Sequence, residues 1–349
     1  MITRFIVGST VVAGAGLLSG SAVWPIKRMR RYQFEHWWFA AMLTGLLLVP
    51  WTVTLAGCPH VLKAIAAVPL ETLLAANLWA AGWGVANVLC GLCYLRLGVA
   101  LTTAILAGLG LSVGALLPLV VKGSGVFQTA AGLTSPAGLM VLAGVGVTLA
   151  ATVLAGLAGA GRERRQAGPT GPPRNTAGFL PALLLAVAAG LLSGGMSLSF
   201  VYGQGPIIAA MKHEGAGDLS ATYAVWAVGL LGGAVPCVGY PAWRMTRNRS
   251  WGVLLTGGRE LALAVIIGLN VTAAVALLGS GMLLLGPLGA SVGFGIQQAA
   301  WMLGGQGLGF LSGEWRGVTG RPRRQISAAI LLLLAAILLL AWSDALPRA

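Results

Sequence analysis

Ten stretches of this 349-residue chain run for about twenty residues or more without one aspartate, glutamate, lysine or arginine in their interiors. They lie at roughly 5–26, 37–57, 72–95, 98–121, 137–158, 178–202, 219–243, 261–285, 288–312 and 325–343. A run of that length, wound as a helix, crosses the hydrocarbon core of a bilayer. Inside that core only a helix or a closed barrel satisfies its own backbone hydrogen bonds. Only 9% of the residues are charged, against roughly 25% in a soluble domain, which is too few to cover a water-facing surface. The expected fold is therefore an all-α polytopic membrane protein with ten transmembrane helices.

Two of these runs share a hexapeptide. Ala15-Gly-Leu-Leu-Ser-Gly20 returns letter for letter as Ala189-Gly-Leu-Leu-Ser-Gly194. An internal copy also argues that Met1–Ile26 is a span and not a removable leader, although Arg4 and Ser19–Ala22 imitate one. Tyr94-Leu-Arg-Leu-Gly98 and Met282–Pro287 form a second correspondence, each followed by a Gly- and Ala-rich run. Between the copies lies Gly161–Thr176, where Arg162-Glu-Arg-Arg165 and Gly168-Pro-Thr-Gly-Pro-Pro173 combine charge, glycine and proline in a linker. The expected organisation is a first five-helix repeat over 1–160, a cytoplasmic linker over 161–176 and a second repeat over 177–349. An odd number of spans per repeat makes the two inverted in the membrane.

The net charge of +14 raises nucleic acid as a partner, but the basic residues are spread through short connections. Lys27–Arg31, Arg96, Arg162–Arg174, Arg244–Arg259 and Arg316–Arg324 fall on the odd connections. Only Arg4, Lys63, Lys122, Lys212 and Arg348 fall on the other side. The positive-inside rule then puts the odd connections in the cytoplasm and both termini outside. No nucleic-acid partner is expected.

No catalytic constellation is visible. His36, His60 and His213 are scattered, and Cys90-x-x-Cys93 has no second pair to complete a metal site. An enzyme is not expected, nor a metal or other cofactor. The apolar interiors do hold neutral polar and aromatic residues, the inventory of a site for an uncharged polar ligand. Trp83 and Asn87 are four apart on the third run, as are Gln297 and Trp301 on the ninth and Ser193 and Ser197 on the sixth. Sugars bind by hydrogen bonds to their hydroxyls and by stacking of their C–H faces on aromatic rings. Amides and serines also clip helices together, and that structural role stays open for each of them. Trp37, Trp38, Trp51, Trp243, Trp251, Trp315 and Trp342 stand at span ends, where tryptophan sits in the interfacial belt.

The chain resembles the bacterial L-rhamnose–proton symporter family, within the drug/metabolite transporter superfamily. The resemblance is carried by Pro25–Arg31 with Glu35, Leu48-Val-Pro-Trp51, Trp83-Gly-Val-Ala-Asn87 through Gly98, Ser193-Gly-Gly-Met-Ser197, Leu230-Leu-Gly-Gly233, Arg247–Trp251, Gly313-Glu-Trp-Arg-Gly317 and Gly320-Arg-Pro322. It implies two inverted five-helix repeats and import of a monosaccharide, L-rhamnose or a similar 6-deoxy sugar, coupled to proton movement. Two departures stand out. Well-known members carry an aspartate near Gly289-Ala290-Ser291, and related sequences an asparagine near Cys237. A proton-independent facilitator or exporter of another small metabolite is the alternative. Coupling needs a titratable group, and with uncharged interiors the candidates stand at the span ends, Glu35 first among them, with His36, Glu71 and Glu260. The sugar, the proton and the lipid bilayer are the expected partners; the number of chains in the assembly is left open.

Overall fold

The computed structural model describes residues 2–97, 99–167, 179–343 and 346. Among the described residues the regular structure is helical throughout: α1 (Ile2–Ser21), α2 (Phe34–Met42), α3 (Val49–Gly57), α4 (Val61–Ala67), α5 (Leu70–Leu97), α6 (Val99–Val120) and α7 (Pro136–Ala167), followed by α8 (Phe179–Ser193), α9 (Gly195–His213), α10 (Asp218–Gly229), α11 (Leu231–Arg247), α12 (Trp251–Thr256), α13 (Gly258–Leu284), α14 (Gly289–Leu311) and α15 (Arg321–Ser343). Eight helical segments are long and apolar enough to cross a membrane, or nine if α10 and α11, bent by 55° at their junction, form one span. The chain is a multi-pass membrane protein. The remaining expected span, the ninth, corresponds to α14, which has the length at 23 residues but is diluted by Gln297, Gln298, Gln306 and its glycines. More than half of α14 is buried in the bundle, Gln297 included, while Gln298 and Gln306 are half-buried.

Two long segments are interrupted, each for a local reason. Between α2 and α3 the backbone widens into a π-helix over Leu43–Leu48. Pro50 follows, and its missing N–H frees a carbonyl one turn earlier. Between α10 and α11 the helix breaks at Leu230. A break inside a membrane leaves polar groups that must be paired, and Asn77 of α5 pairs them. Its Oδ1 accepts from the Gly232 N–H at 2.7 Å, while its Nδ2 donates to the Val228 carbonyl at 3.0 Å.

Packing is set largely by close backbone approach. α1 lies against α13 and α14; α8 and α9 lie against α5 and α6. α2 packs on α11 and α13, α11 on α5, α3 on α10, and α7 on α15. The repeated hexapeptide makes two of these contacts. A Cβ on Gly16 or Gly20 would overlap the Gln297 or Trp301 carbonyl of α14. One on Gly190 or Gly194 would press into Leu109 or into Gly114 and Val113 of α6. Small residues at four-residue spacing bring helices into this range.

Two boundaries differ from the sequence expectation. α7 runs on to Ala167, so 161–167 of the expected linker are helical; Arg162 there is held by Glu314. The rest of the linker, 168–176, lies outside the described residues. The sixth run, expected to end at 202, does not end there either: α9 carries on through Pro206 to His213. The Ser124 hydroxyl accepts the Gly205 N–H at 3.1 Å and steadies the chain beside that proline.

Candidate functional site

A cavity of about 420 Å³ lies between the halves of the chain, walled by α1, α2, α5, α6, α8, α9, α13 and α14. Its depth can be read along α13. The helix begins at the Arg259 end, meets the cavity at Ile267, Val271 and Val275, and one turn later packs Gly279 against Phe200 and Trp226. Phe200 and Trp226 stack with centroids 4.7 Å apart, and Phe127 abuts Phe200 at 6.3 Å. All three are buried. This aromatic block closes the far side. Toward the basic end the wall continues through Ser19 to Val23 of the first connection, Phe34 and Trp37 of α2, and Thr103 of α6. The cavity therefore extends from the middle of the bundle toward the connections rich in arginine.

Five of the six residues expected at a sugar site share this wall: Trp83, Asn87, Ser193, Gln297 and Trp301. They arrive from α5, α8 and α14. Asn87 Nδ2 donates to the Trp83 carbonyl at 2.8 Å, which fixes the amide. The Ser193 hydroxyl donates to Gly190 at 2.7 Å, so its oxygen remains an acceptor. Gln297 is 7% exposed and its Oε1 has no partner. A buried acceptor left unpaired costs about 1–3 kcal/mol. Ser197 is not on the wall; it is fully buried and reaches the Gly114 carbonyl at 3.5 Å. Its place one turn beyond Ser193 carries it into the α6 contact. Trp79, on the same face of α5 as Trp83, stacks on Tyr202 instead.

The sequence reading missed several wall residues. Trp37 and Trp38, placed in the interfacial belt from their position at a span end, line the cavity with Phe34 and Phe294. Trp315 is also off the belt, buried against Phe310 with Arg162 over its ring. Trp243 and Trp342 are exposed as belt residues are. The one available signal for α2 was the triplet Phe34, Trp37, Trp38 recurring at helical spacing.

Glu35 lies beside the cavity but not on its wall. It is 1% exposed, faces α11, accepts from Asn248 Nδ2 at 3.1 Å and meets the Arg244 guanidinium at 3.5 Å. On α2 it is roughly 100° around from Phe34, so one helix presents a cavity face and a carboxylate face. His36 closes a capping box, accepting the Gln33 N–H at Nδ1 (3.1 Å) and reaching the Ser250 carbonyl through Nε2 (3.3 Å). Glu260 is consumed by the backbone N–H groups of Arg30, Arg31 and Tyr32. Among the described residues the cavity wall carries no Asp, Glu, His, Lys or Arg, and no cluster of metal ligands occurs.

A second tie across the basic end involves Glu314, in the turn after α14. Lys27 reaches it at 2.7 Å and Arg162 at 2.8 Å. The Lys27 hydrogen bond, opposed by partial desolvation and helped by the charges of Lys27 and Arg162, holds its carboxyl below the usual carboxylate range. A depressed carboxylate stabilises the fold above its unfolded value and loses that contribution as pH falls through the folded one. Glu314→Gln should accordingly lower the melting temperature at pH 7 by a small amount, since the group is partly solvated. The difference should shrink as the pH falls below about 4 and close once it passes the depressed folded value. Thermal unfolding across that range measures it.

The sequence pattern of the L-rhamnose-proton symport protein (RhaT) family matches residues 5–342. The chain belongs to that family. Its relatives include the L-rhamnose-proton symporters of Yersinia pestis bv. Antiqua (strain Antiqua) and Yersinia pseudotuberculosis serotype O:3 (strain YPIII). Each is 28% identical over 216 residues, which is 62% of this chain and 60% of the relative. The chain thus matches well under two thirds of the length of those symporters, although the family pattern spans nearly all of it. A family of symport proteins is a family of transporters and not of enzymes.

Proposed function

We propose that this chain is a secondary transporter that imports a monosaccharide, L-rhamnose or a similar 6-deoxy sugar, with a proton, by alternating access. The observation that carries this reading is the central cavity: amides and indoles from both halves meet there, and Gln297 offers an acceptor with no partner. A deoxy sugar suits the wall because its methyl group needs an apolar patch, supplied by Met196, Ile267 and Val271, beside the amides. Trp83 and Asn87, Ser193, and Gln297 with Trp301 are the proposed binding residues. Ser197 would act from behind, holding α9 on α6.

Ten spans in two inverted repeats, the first within 1–160 and the second within 177–349, are supported by the pattern of contacts. Matching α1 with α8–α9, α2–α3 with α10–α11, α5 with α13, α6 with α14 and α7 with α15 turns most of the larger contacts into others of the set, the α9–α10 contact excepted. The α1 contact with α14 becomes the α8–α9 contact with α6, and both are made by the same hexapeptide. The interrupted second span recurs too, as a π-turn in one half and a break in the other. With the arginine-rich connections in the cytoplasm of a bacterial inner membrane and both termini outside, the cavity extends inward and the Phe127–Phe200–Trp226 block closes the outer path.

Proton coupling is assigned to Glu35. Protonation would remove its charge and release Arg244, freeing α11 from the helix that carries Phe34 and Trp37. Glu35→Gln is expected to abolish stimulation of uptake by an inward proton gradient while equilibrative exchange of sugar persists. The experiment is uptake of radiolabelled L-rhamnose into proteoliposomes with and without that gradient. Stimulation that vanishes with a protonophore supports symport. The absence of a titratable carboxylate from the cavity wall favours a second reading, a proton-independent facilitator or exporter of another small metabolite. Uptake of sugar indifferent to the gradient would establish the facilitator.

A further inference from the structure

A second cavity, of about 570 Å³, lies at the basic end of the bundle. Its two walls come from distant parts of the chain: the first connection, with Arg28, Arg30 and Arg31, and the turn that opens α13, with Thr256 and Arg259. Positive-inside topology accounts for arginines in connections; it does not account for their convergence on one concavity.

The charge there is largely uncompensated. Lys27 is taken by Glu314. The only carboxylate on the wall, Glu260, spends both oxygens on backbone N–H groups: Arg30 at 2.9 Å, Arg31 at 3.1 Å to either oxygen, and Tyr32 at 2.7 Å. Among the described residues no carboxylate pairs with the side chain of Arg28, Arg30, Arg31 or Arg259. Arg31 reaches only the Thr256 hydroxyl, at 3.3 Å, and Arg28 lies over the ring of Trp24, 5.4 Å from its centroid. Trp24 is exposed on the flank of the bundle at the end of the first span. Tryptophan in that position marks the depth of lipid headgroups.

We propose that this cavity binds the phosphate of an anionic phospholipid headgroup. Guanidinium groups present planar, forked donors that match phosphate oxygens, and at this depth the phosphate with the shortest path to them belongs to a lipid. A phosphate bridging Arg30 and Arg31 to Arg259 would clip the start of α13 to the segment that leads into α2. The site is independent of what the central cavity carries.

The test titrates purified protein in neutral detergent with short-chain phosphatidylglycerol, with phosphatidylcholine of the same chain length, and with inorganic phosphate. Phosphatidylglycerol is expected to raise the melting temperature by several degrees, and the other two to leave it unchanged. Arg30→Gln with Arg259→Gln should weaken the phosphatidylglycerol response at least about tenfold in concentration. Arg323→Gln with Arg324→Gln, basic residues outside the cavity, should not. An equal shift with phosphatidylcholine, an equal shift with phosphate alone, or an unchanged response in the double variant overturns the proposal. Should the double variant fail to fold, native mass spectrometry of the wild type still decides. Preferential retention of the anionic lipid is expected, and equal retention of both lipids contradicts it.

Discussion

Gly20→Val should cost the protein about 3 kcal/mol or more, enough to remove much of the folded population, because the new side chain meets backbone and not a movable side chain. The Cβ position at Gly20 coincides with the Trp301 carbonyl of α14, so α1 and α14 would have to separate along their length. Gly14→Ala on the same helix supplies the contrast. Nothing lies within 4 Å of a Cβ at Gly14, and alanine favours a helix over glycine by about 0.5–1 kcal/mol. That variant should melt at or slightly above the wild-type temperature. Gly194→Val, pressing on Gly114 and Val113 of α6, should reproduce the Gly20 result. Monodispersity and melting temperature in detergent check all three; equal behaviour of Gly14→Ala and Gly20→Val would show that the hexapeptide is not a packing contact.

The second large effect concerns Gln297 and Asn87, where stability and affinity should move in different directions. Gln297→Ala removes a buried acceptor that has no partner, so the unliganded protein should be as stable as the wild type or up to about 1 kcal/mol more stable. Sugar affinity should fall by about tenfold to a hundredfold, the worth of a hydrogen bond whose loss also leaves a ligand hydroxyl unpaired. Asn87→Ala should weaken binding similarly, since the Trp83 carbonyl holds its amide in position in the empty protein. If either variant lost stability and affinity in proportion, the residue would be a helix clip and the assignment to the site would fall. Thermal melts beside equilibrium binding separate the two.

Much of this molecule is legible in its composition, because a bilayer imposes helices on any apolar run of sufficient length. The five wall residues were legible for a related reason: a neutral amide, hydroxyl or indole far from a span end has few uses beyond packing or a site. The remainder depends on contacts between distant segments. Leu230-Leu231 reads as uninterrupted apolar helix, and the break there is completed by Asn77, more than 150 positions away. Trp37 and Trp38 sit where belt tryptophans sit, and only the placement of α2 against α13 turns them inward. Ser197 shares a face with Ser193, yet one turn along α9 the cavity has ended and α6 has begun. α14 fails as a span on composition because the glutamines that would make it a binding helix also make it polar. Glu35 illustrates the same limit. Its position at a helix start is ordinary for an acidic residue; its burial beside Arg244 and Asn248 is what sets it apart.

The most direct test of the central cavity as a sugar site is equilibrium binding of radiolabelled L-rhamnose to the purified protein. Competitors should include unlabelled L-rhamnose, its 6-hydroxy counterpart L-mannose, and an amphipathic amine. Saturable binding displaced by L-rhamnose, weakly by L-mannose and not by the amine, and weakened about tenfold to a hundredfold in Gln297→Ala, is the expected outcome. No saturable sugar binding, together with a thermal shift produced by the amine, would contradict it.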